Sequence, residues 1–464
     1  MKKKVYFDDS LERFARVLMA ETDSNIFKKN IFLRDAKGKL TFVIKDKSLS
    51  VEVDKLNKAV YKSLGNYVQE DFDVCMIRDL FDEELENLTI SDAHSRAIGI
   101  HSGLNLQVNY LDRRVINGDW QRYFPEYNGP ARLVFSSIKG GVGRTTALCV
   151  VAASLAKSGK RVLAIDLDLE APGLGNMLLT TDTVPDFGLI DYFVETNLDN
   201  FETRNVDYLI GPSWLSDGKG RIDVIPALGK FSLNNPGDVL SKLSRAYLPK
   251  NSEDGTQLSF MDNLRSLLQE FSFQRYDVIL IDSRAGLHET TASALVGLGA
   301  DVFCFGVDQS QTLQGYELLF SAIASNKDTL NNEVNWSNKL HFVHAKAPLD
   351  IEKRNVFATK IEDLCNKFFC NKTYESNFNI LDLKDSFDVE WVDDVNLDDF
   401  ELLNSDSDFN DVIAILDDKV YSEFDPLRNR DTLLDSVYNA TFGSLLKKAE
   451  SLVDEARIQN YDKD

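Results

Sequence analysis

The residues of this chain with the clearest chemical pattern are 137–146, which read SIKGGVGRTT. An apolar run precedes them and an apolar, helix-forming stretch follows, so the glycines occupy a strand-to-helix turn. Closely spaced glycines let the backbone curl with its N–H groups facing inward, and the helix dipole adds positive potential. Thr145 stands where such a loop supplies a hydroxyl ligand to magnesium. The segment therefore predicts a site for the phosphates of a nucleotide and a magnesium ion.

The loop departs at two positions from the standard phosphate-loop pattern G-x-x-x-x-G-K-[ST]. Lys139 precedes the glycines, where the standard pattern requires no particular residue, and Arg144 replaces the usual lysine. The arginine keeps the positive charge but presents a planar fork instead of a compact ammonium group. Because phosphoryl transfer depends on positioning and charge, we expect nucleotide binding to be retained and hydrolysis to be slow.

Three aspartates lie at the ends of apolar, strand-like runs further along the chain. Asp166 and Asp168 end the run RVLAIDLD, and Asp282 ends the run YDVILID. Ligands of an open parallel sheet bind at the carboxyl ends of its strands. We therefore expect these carboxylates to meet the glycine loop at one edge of a sheet. His288 follows shortly afterwards and is expected to cap a helix or face solvent rather than to catalyse.

Taken together, KGGVGRTT, the D-x-D segment and residues 276–287 resemble the motifs of the ParA/MinD family, a branch of the P-loop NTPases with a deviant phosphate loop. The resemblance runs from about residue 132 to about residue 453 and implies bound ATP and Mg²⁺. It implies that Lys139 reaches across a dimer to the partner subunit's nucleotide, and that Asp166 lies beside the magnesium and the attacking water. It further implies that Asp168 belongs to one switch segment and that residues 283–286 form a second.

The candidate site residues fall into three groups. Those assigned to catalysis are Lys139, Arg144, Asp166 and Asp168. Those assigned to the nucleotide are Gly140, Gly141, Val142, Gly143, Arg144, Thr145 and Thr146, with Lys346 and Pro348 as candidates near the base. Those assigned to the metal are Thr145, Asp166 and Asp282. An ordinary strand-exit loop is an equally good interpretation of residues 344–348, and ATP rather than GTP rests on the resemblance alone.

The elements that must position these residues alternate between strands and helices from residue 132 onward. The apolar runs include LVFSS, DVIPAL, ADVFCFGVD, LHFVHA and VIAIL, separated by amphipathic stretches. Runs buried on both faces are typical of parallel strands covered by helices. We predict an α/β fold, a doubly wound, mostly parallel sheet with a phosphate loop, over residues 129–464. Insertions are expected near 200–263 and, with a strongly acidic composition, near 371–411.

A smaller α+β domain is predicted before this sheet, over residues 1–128. Residues 9–20 and 51–68 have helical periodicity, and residues 30–45 read as two strands around a Lys-Gly turn. The pair Gly129–Pro130 breaks the chain and marks the predicted boundary. Near the other end of the chain, residues 441–456 predict an amphipathic helix that packs on the ATP-binding domain rather than on a membrane.

Composition narrows the class of protein. The chain has 464 residues, a formal net charge of −22 and 43% hydrophobic residues, which excludes a mostly disordered chain. The negative charge opposes general affinity for nucleic acid. We find no secretory leader and no apolar run of the ~18 residues needed to span a bilayer. The five cysteines show no metal or disulfide pattern. These features predict a cytoplasmic protein without a membrane partner.

The function predicted from the sequence is an ATP- and Mg-dependent dimerising switch with slow hydrolysis, which signals to a protein partner. The N-terminal domain or the acidic insertion is expected to contact that partner, although a solvated loop is the alternative interpretation of the insertion. The combination of motifs resembles ParA-like ATPases encoded beside bacterial defence or mobile-element genes. Three alternatives stay open: a scaffold that binds nucleotide without turnover, a DNA-partitioning ATPase, and a ligase or kinase on the same fold.

Overall fold

A computed structural model describes most of the chain, and the description below is confined to those residues. The described residues are 4–46, 52–69, 72–87, 94–99, 106–114, 118–122, 127, 129–196, 198, 206–216, 218–251, 257–324, 336–369 and 412–461. The predicted acidic insertion at 371–411 lies outside them.

A five-stranded mixed sheet occupies the N-terminal region, with strand order β3-β2-β1-β5-β4. Its strands are β1 (Ile31–Arg34), β2 (Leu40–Ile44), β3 (Val74–Met76), β4 (His94–Ile98) and β5 (Leu106–Asp112). Its helices are α1 (Phe7–Glu21), α2 (Val53–Leu64) and the short α3 (Glu83–Asn87). The β1–β2 hairpin turns at Gly38, whose φ of 85° suits glycine. The predicted helices and hairpin of this region are confirmed.

The apolar faces of α1 and α2 pack on one side of this sheet. Phe14 of α1 meets Phe32 edge-on, with ring centroids 5.3 Å apart, and Phe42 lies 4.7 Å from Phe32. All three rings are fully buried. This aromatic cluster explains why the alternating pattern of 30–45 and the helical pattern of 9–20 fold against each other.

The second sheet has eight strands among the described residues, in the order β15-β14-β13-β6-β12-β7-β9-β8. They are β6 (Ala131–Ser137), β7 (Arg161–Asp166), β8 (Gly211–Pro212), β9 (Arg221–Ile225), β12 (Val278–Asp282), β13 (Asp301–Gly306), β14 (Leu340–Ala347) and β15 (Ile413–Leu416). Neighbouring strands are parallel except at the edge, where β8 is antiparallel to β9. A two-stranded ribbon of β10 (Lys250–Asn251) and β11 (Gln257–Leu258) lies apart from it. The predicted α/β fold is confirmed.

Helices cover both faces of this sheet, as the uninterrupted apolar strands require. One face carries α4 (Arg144–Lys157), α5 (Leu174–Leu178) and α13 (Asp435–Tyr461). The other face carries α6 (Leu189–Glu195), α9 (Phe260–Gln269), α10 (Glu289–Val296), α11 (Ser310–Ala324) and α12 (Ile351–Phe369). The short helices α7 (Lys230–Asn234) and α8 (Val239–Ala246) complete the described part. The predicted C-terminal helix does pack on the sheet, since Leu445, Ala449 and Val453 are buried in this core.

The segment 118–122 crosses from the N-terminal region onto helices of the second sheet. Trp120 packs against the core under α9 and α10. The Asp119 side chain is 1% exposed and accepts hydrogen bonds from the Met261 amide at 3.1 Å and the Ser293 hydroxyl at 3.2 Å. Arg122 pairs with both carboxylate oxygens of Asp262, at 2.8 and 2.7 Å. Residues before the predicted boundary at 129–130 therefore contribute to the core of the second sheet.

Candidate nucleotide-binding site

The glycine-rich loop connects β6 to α4, as predicted. Gly141 has a φ of 74° and Gly143 a φ of 89°, values that side chains with a Cβ rarely adopt. Gly143 is the N-cap of α4, so the loop leads directly into the N-terminus of a buried 14-residue helix. The first N–H groups of that helix have no intrahelical acceptor. This arrangement suits an anion such as a phosphate.

The hydroxyl of Thr145, on the first turn of α4, points to the end of a neighbouring strand. Its Oγ1 donates to Oδ2 of Asp282 at 2.5 Å. Asp282 is buried, and its Oδ1 has no hydrogen-bond partner among the described residues. A buried carboxylate oxygen without a donor fits a cation better than an isolated protein site. Thr145 and Asp282 are thus suitably placed for magnesium.

Asp166 lies beside Asp282, because β7 and β12 are neighbours and the two residues are in register. The Asp166 carboxylate is buried and accepts backbone hydrogen bonds from Asp168, Gly173 and Leu174, at 3.2, 3.2 and 3.0 Å. It therefore holds the segment 168–174 as well as facing the site. Burial and the nearby charge of Asp282 raise its pKa well above the ordinary range.

Asp282 is also perturbed by its surroundings. Burial raises the pKa of Asp282 to about 6, while the charge of Arg144 and the hydrogen bond from Thr145 lower it. Two buried carboxylates in register are costly to ionise together without a cation. Among the described residues, no group of three or more His, Cys, Asp or Glu side chains is placed to hold a metal by itself. Magnesium typically binds through one or two protein groups plus substrate phosphates, which matches this composition.

Arg144 is buried, with 8% of its surface exposed, and its guanidinium contacts both segments that follow the aspartate strands. One terminal nitrogen donates to the backbone carbonyl of Ser283, just beyond β12. The other lies 3.8 Å from the Asp168 carboxylate, beyond β7. A second ion pair joins the same two segments, between Glu170 and Arg284. The arginine that replaces the usual lysine is therefore engaged with protein groups.

Lys139 and the start of the loop lie at the surface. The Lys139 ammonium donates to the side-chain oxygen of Gln309 at 3.1 Å. Gln309 belongs to the turn between β13 and α11, so Lys139 lies at the carboxyl edge of the sheet. Its predicted reach into a partner subunit stays a prediction.

His288 caps a helix, as expected from the sequence. It is the N-cap of α10, and its Nδ1 accepts from the Thr290 amide at 3.4 Å. Its ring lies against Tyr247, with centroids 5.2 Å apart. Burial and the neighbouring Arg284 lower the pKa of His288. A capping neutral imidazole matches this geometry.

A cavity of about 420 Å³ extends from the glycine loop toward the end of β15. Its lining includes the loop residues 141–146, Lys346, and residues that sequence reasoning missed: Met177, Asp417, Asp418, Tyr421, Ser422, Thr441 and Phe442. Lys346 has a φ of 51°, which is unusual for a residue with a side chain. Pro348, which follows β14, is not among the lining residues. The position of VIAIL before residue 417 was the signal that could have found this wall, because it is another strand end.

The comparisons with known proteins bear on the second sheet. Residues 132–336 match the model of a family described as an AAA domain. These residues form a ParA/MinD-type P-loop ATPase domain. An iron-sulfur cluster carrier protein of Methanocaldococcus jannaschii is 34% identical to the chain over 79 residues, 17% of this chain and 27% of that protein. The chain spans about a quarter to a half of the length of the curated relatives that it matches.

Two solved structures illustrate the likeness of the ATPase domain. A complex of a Cyanothece McdA variant with ATP has a TM-score of 0.40 and 14% identity, and the match covers 71% of this chain and 97% of that one. A ParA family ATPase from Chlorobium tepidum has a TM-score of 0.34 and 18% identity, covering 50% and 80%. Within the described residues, none of the helices combines the length and the apolarity needed to cross a bilayer.

Proposed function

We propose that this protein is an ATP- and Mg-dependent switch that dimerises through its nucleotide face and hydrolyses ATP slowly. The observation that carries the proposal is the arrangement at the carboxyl edge of the second sheet. There the glycine loop, the Thr145–Asp282 pair and Asp166 adjoin a cavity of about 420 Å³. Such a volume is suitable for a nucleotide-sized ligand.

The chain's own groups suggest how a triphosphate is held. The loop amides and the N-terminus of α4 bind phosphate oxygens, and Arg144 adds positive charge. Thr145, Asp282 and Asp166 are the residues that would hold magnesium, whose charge neutralises phosphate oxygens when it is bound. The cavity beyond residue 146, lined by Lys346, Asp417 and Phe442, accepts the nucleoside.

Slow hydrolysis follows from two features of the site. Both oxygens of the Asp166 carboxylate already accept backbone N–H groups, so little of its basicity is available to orient a water molecule. Arg144 is drawn toward Ser283 and Asp168 rather than into the loop. Since phosphoryl transfer depends on positioned charge, both features reduce the rate.

Dimerisation is proposed from Lys139. Its ammonium is held at the surface by a single hydrogen bond to Gln309. An exposed hydrogen bond of this kind is weak and readily exchanged. Lys139 can therefore leave Gln309 and bind the nucleotide of a second subunit placed face to face.

Residues 1–128 are proposed to contact the protein partner. The segment 118–122 joins this region to α10, which directly follows the second switch segment, through the contacts of Asp119 with Ser293 and Glu289. A shift of α10 on nucleotide binding would thus reach the N-terminal region. A role in bacterial defence or in a mobile-element system is part of this proposal.

Calorimetry and light scattering test the proposal. We expect the full chain to bind Mg·ATP at one site and to dimerise with it, and Lys139→Ala to bind ATP but stay monomeric. Lys360→Ala is the matched control, because Lys360 is another exposed lysine that holds the neighbouring Asp308 at 2.8 Å. No heat with any Mg-nucleotide would overturn the proposal, and equal dimerisation of both lysine variants would overturn the role of Lys139.

A scaffold that binds ATP without turnover is the second candidate. The engagement of Arg144 and Asp166 with protein groups favours it. Phosphate release separates the two candidates: we expect turnover above background that is lost in Asp166→Ala. Release that is equal in the wild type and in Asp166→Ala would leave only the scaffold.

A further inference from the structure

Arg144 is the buried cation that contacts the segments following both aspartate strands. Its guanidinium meets the Ser283 carbonyl on one side and the Asp168 carboxylate on the other. The side chains of Arg144 and Asp168 are 9% and 12% exposed, so water screens this contact weakly. The Glu170–Arg284 pair, which joins the same segments, is about 30% exposed at each side chain and contributes less.

The chemistry of arginine explains these contacts. A guanidinium distributes its donors over three nitrogens in a rigid fork, so it can bind two separate groups and still present donors to a third. A lysine ammonium carries its donors on one nitrogen and acts as a point charge. Only the arginine can donate to a carbonyl beyond β12, approach a carboxylate beyond β7 and still face the phosphate loop.

We propose that Arg144 is a positioning residue that ties both switch segments, 168–173 and 283–287, to the phosphate loop. The coupling part of this inference rests on the proposed nucleotide binding. In the nucleotide-free protein Arg144 holds the two segments together. Phosphate oxygens that enter the loop compete for the same donors, because they are strong anionic acceptors close to the start of α4. Nucleotide binding therefore releases or shifts both segments at once, which a lysine at this position does not do.

Hydrogen exchange of the full chain without nucleotide tests the contact directly. Arg144→Lys keeps the charge and removes the fork, and Asp168→Asn removes one anionic contact with little change of shape. The control is Arg161→Lys. Arg161 also binds a backbone carbonyl, of Phe273 at 2.6 Å, and a carboxylate, of Asp277 at 2.9 Å, but at the opposite end of β7.

We expect Arg144→Lys to speed amide exchange about tenfold in both switch segments. Asp168→Asn should speed exchange only in 168–173, and Arg161→Lys should leave both segments at the wild-type rate. With Mg·ATP added, the wild type should change exchange in both segments, and Arg144→Lys should bind ATP with a smaller change in 283–287.

Two results would overturn the inference. One is wild-type exchange in both segments of Arg144→Lys. The other is faster exchange that extends equally through β12, which would indicate general destabilisation instead of loss of a specific contact. Failure of the wild type to bind any Mg-nucleotide in calorimetry would remove the proposed function and the coupling, but the comparison made without nucleotide would still decide whether Arg144 holds the two segments.

Discussion

Replacing Asp119 tests how firmly the segment 118–122 is part of the ATPase domain. Its buried carboxylate accepts from the Met261 amide, in the first turn of α9, and from the Ser293 hydroxyl in α10. Asp119→Ala leaves both donors buried without an acceptor. Each orphaned donor costs about 1–3 kcal/mol, so we expect the free energy of unfolding to fall by about 2–5 kcal/mol. Arg122 adds little to this loss, because it keeps its two bonds to Asp262.

Urea denaturation at neutral pH measures the loss, and hydrogen exchange locates it. The Met261 amide should exchange faster in Asp119→Ala, since its acceptor is gone. Asp119→Asn retains a carbonyl oxygen and should lose less stability than the alanine variant. Asp79→Ala is the control, because Asp79 is exposed and pairs only with its neighbour Arg78, at 3.7 Å. An alanine variant at 119 within about 0.5 kcal/mol of the wild type, the range of ordinary surface substitutions, would refute the reasoning.

Three further predictions concern stability and binding. Hydrogen bonds from Arg122 and from the Ser259 amide outweigh burial and lower the pKa of Asp262 below 3.8, so its pairing stabilises the protein above about pH 4 and is lost as the pH falls; Asp262→Asn should therefore be less stable than the wild type at pH 7, and equal stability loss at pH 7 and pH 3 in denaturation curves would contradict this. Leu445→Ala should cost about 2–5 kcal/mol, because Leu445 is fully buried between α13 and the sheet, and an unchanged urea midpoint would count against that packing. Gly143→Ala should weaken Mg·ATP binding about tenfold, since a φ of 89° costs a residue with a Cβ about 1–2 kcal/mol; calorimetry that gives the wild-type affinity would exclude such strain in the loop.

Local sequence patterns determined the elements that carry the chemistry. The glycine loop between β6 and α4 follows from a strand, three glycines and a helix in succession, all within about 30 residues. Asp166 and Asp282 could be predicted as neighbours because parallel strands bring their carboxyl ends to one edge. The two-residue and helical periodicities of the N-terminal region likewise gave its hairpin and helices, since each depends on contacts along the chain or across one turn.

Only the tertiary structure decided what those elements touch. The Arg144 contact with Ser283, the Asp119 contact with Met261 and the wall of the cavity at Asp417 and Phe442 each join residues more than 100 positions apart. No periodicity records such pairs, because they depend on how helices pack on the two faces of the sheet and on where buried donors find acceptors. Charge and residue type alone predicted that Arg144 would face phosphate. Packing decides that its fork also meets the two segments beyond β7 and β12, because these are the acceptors that the folded chain places around it.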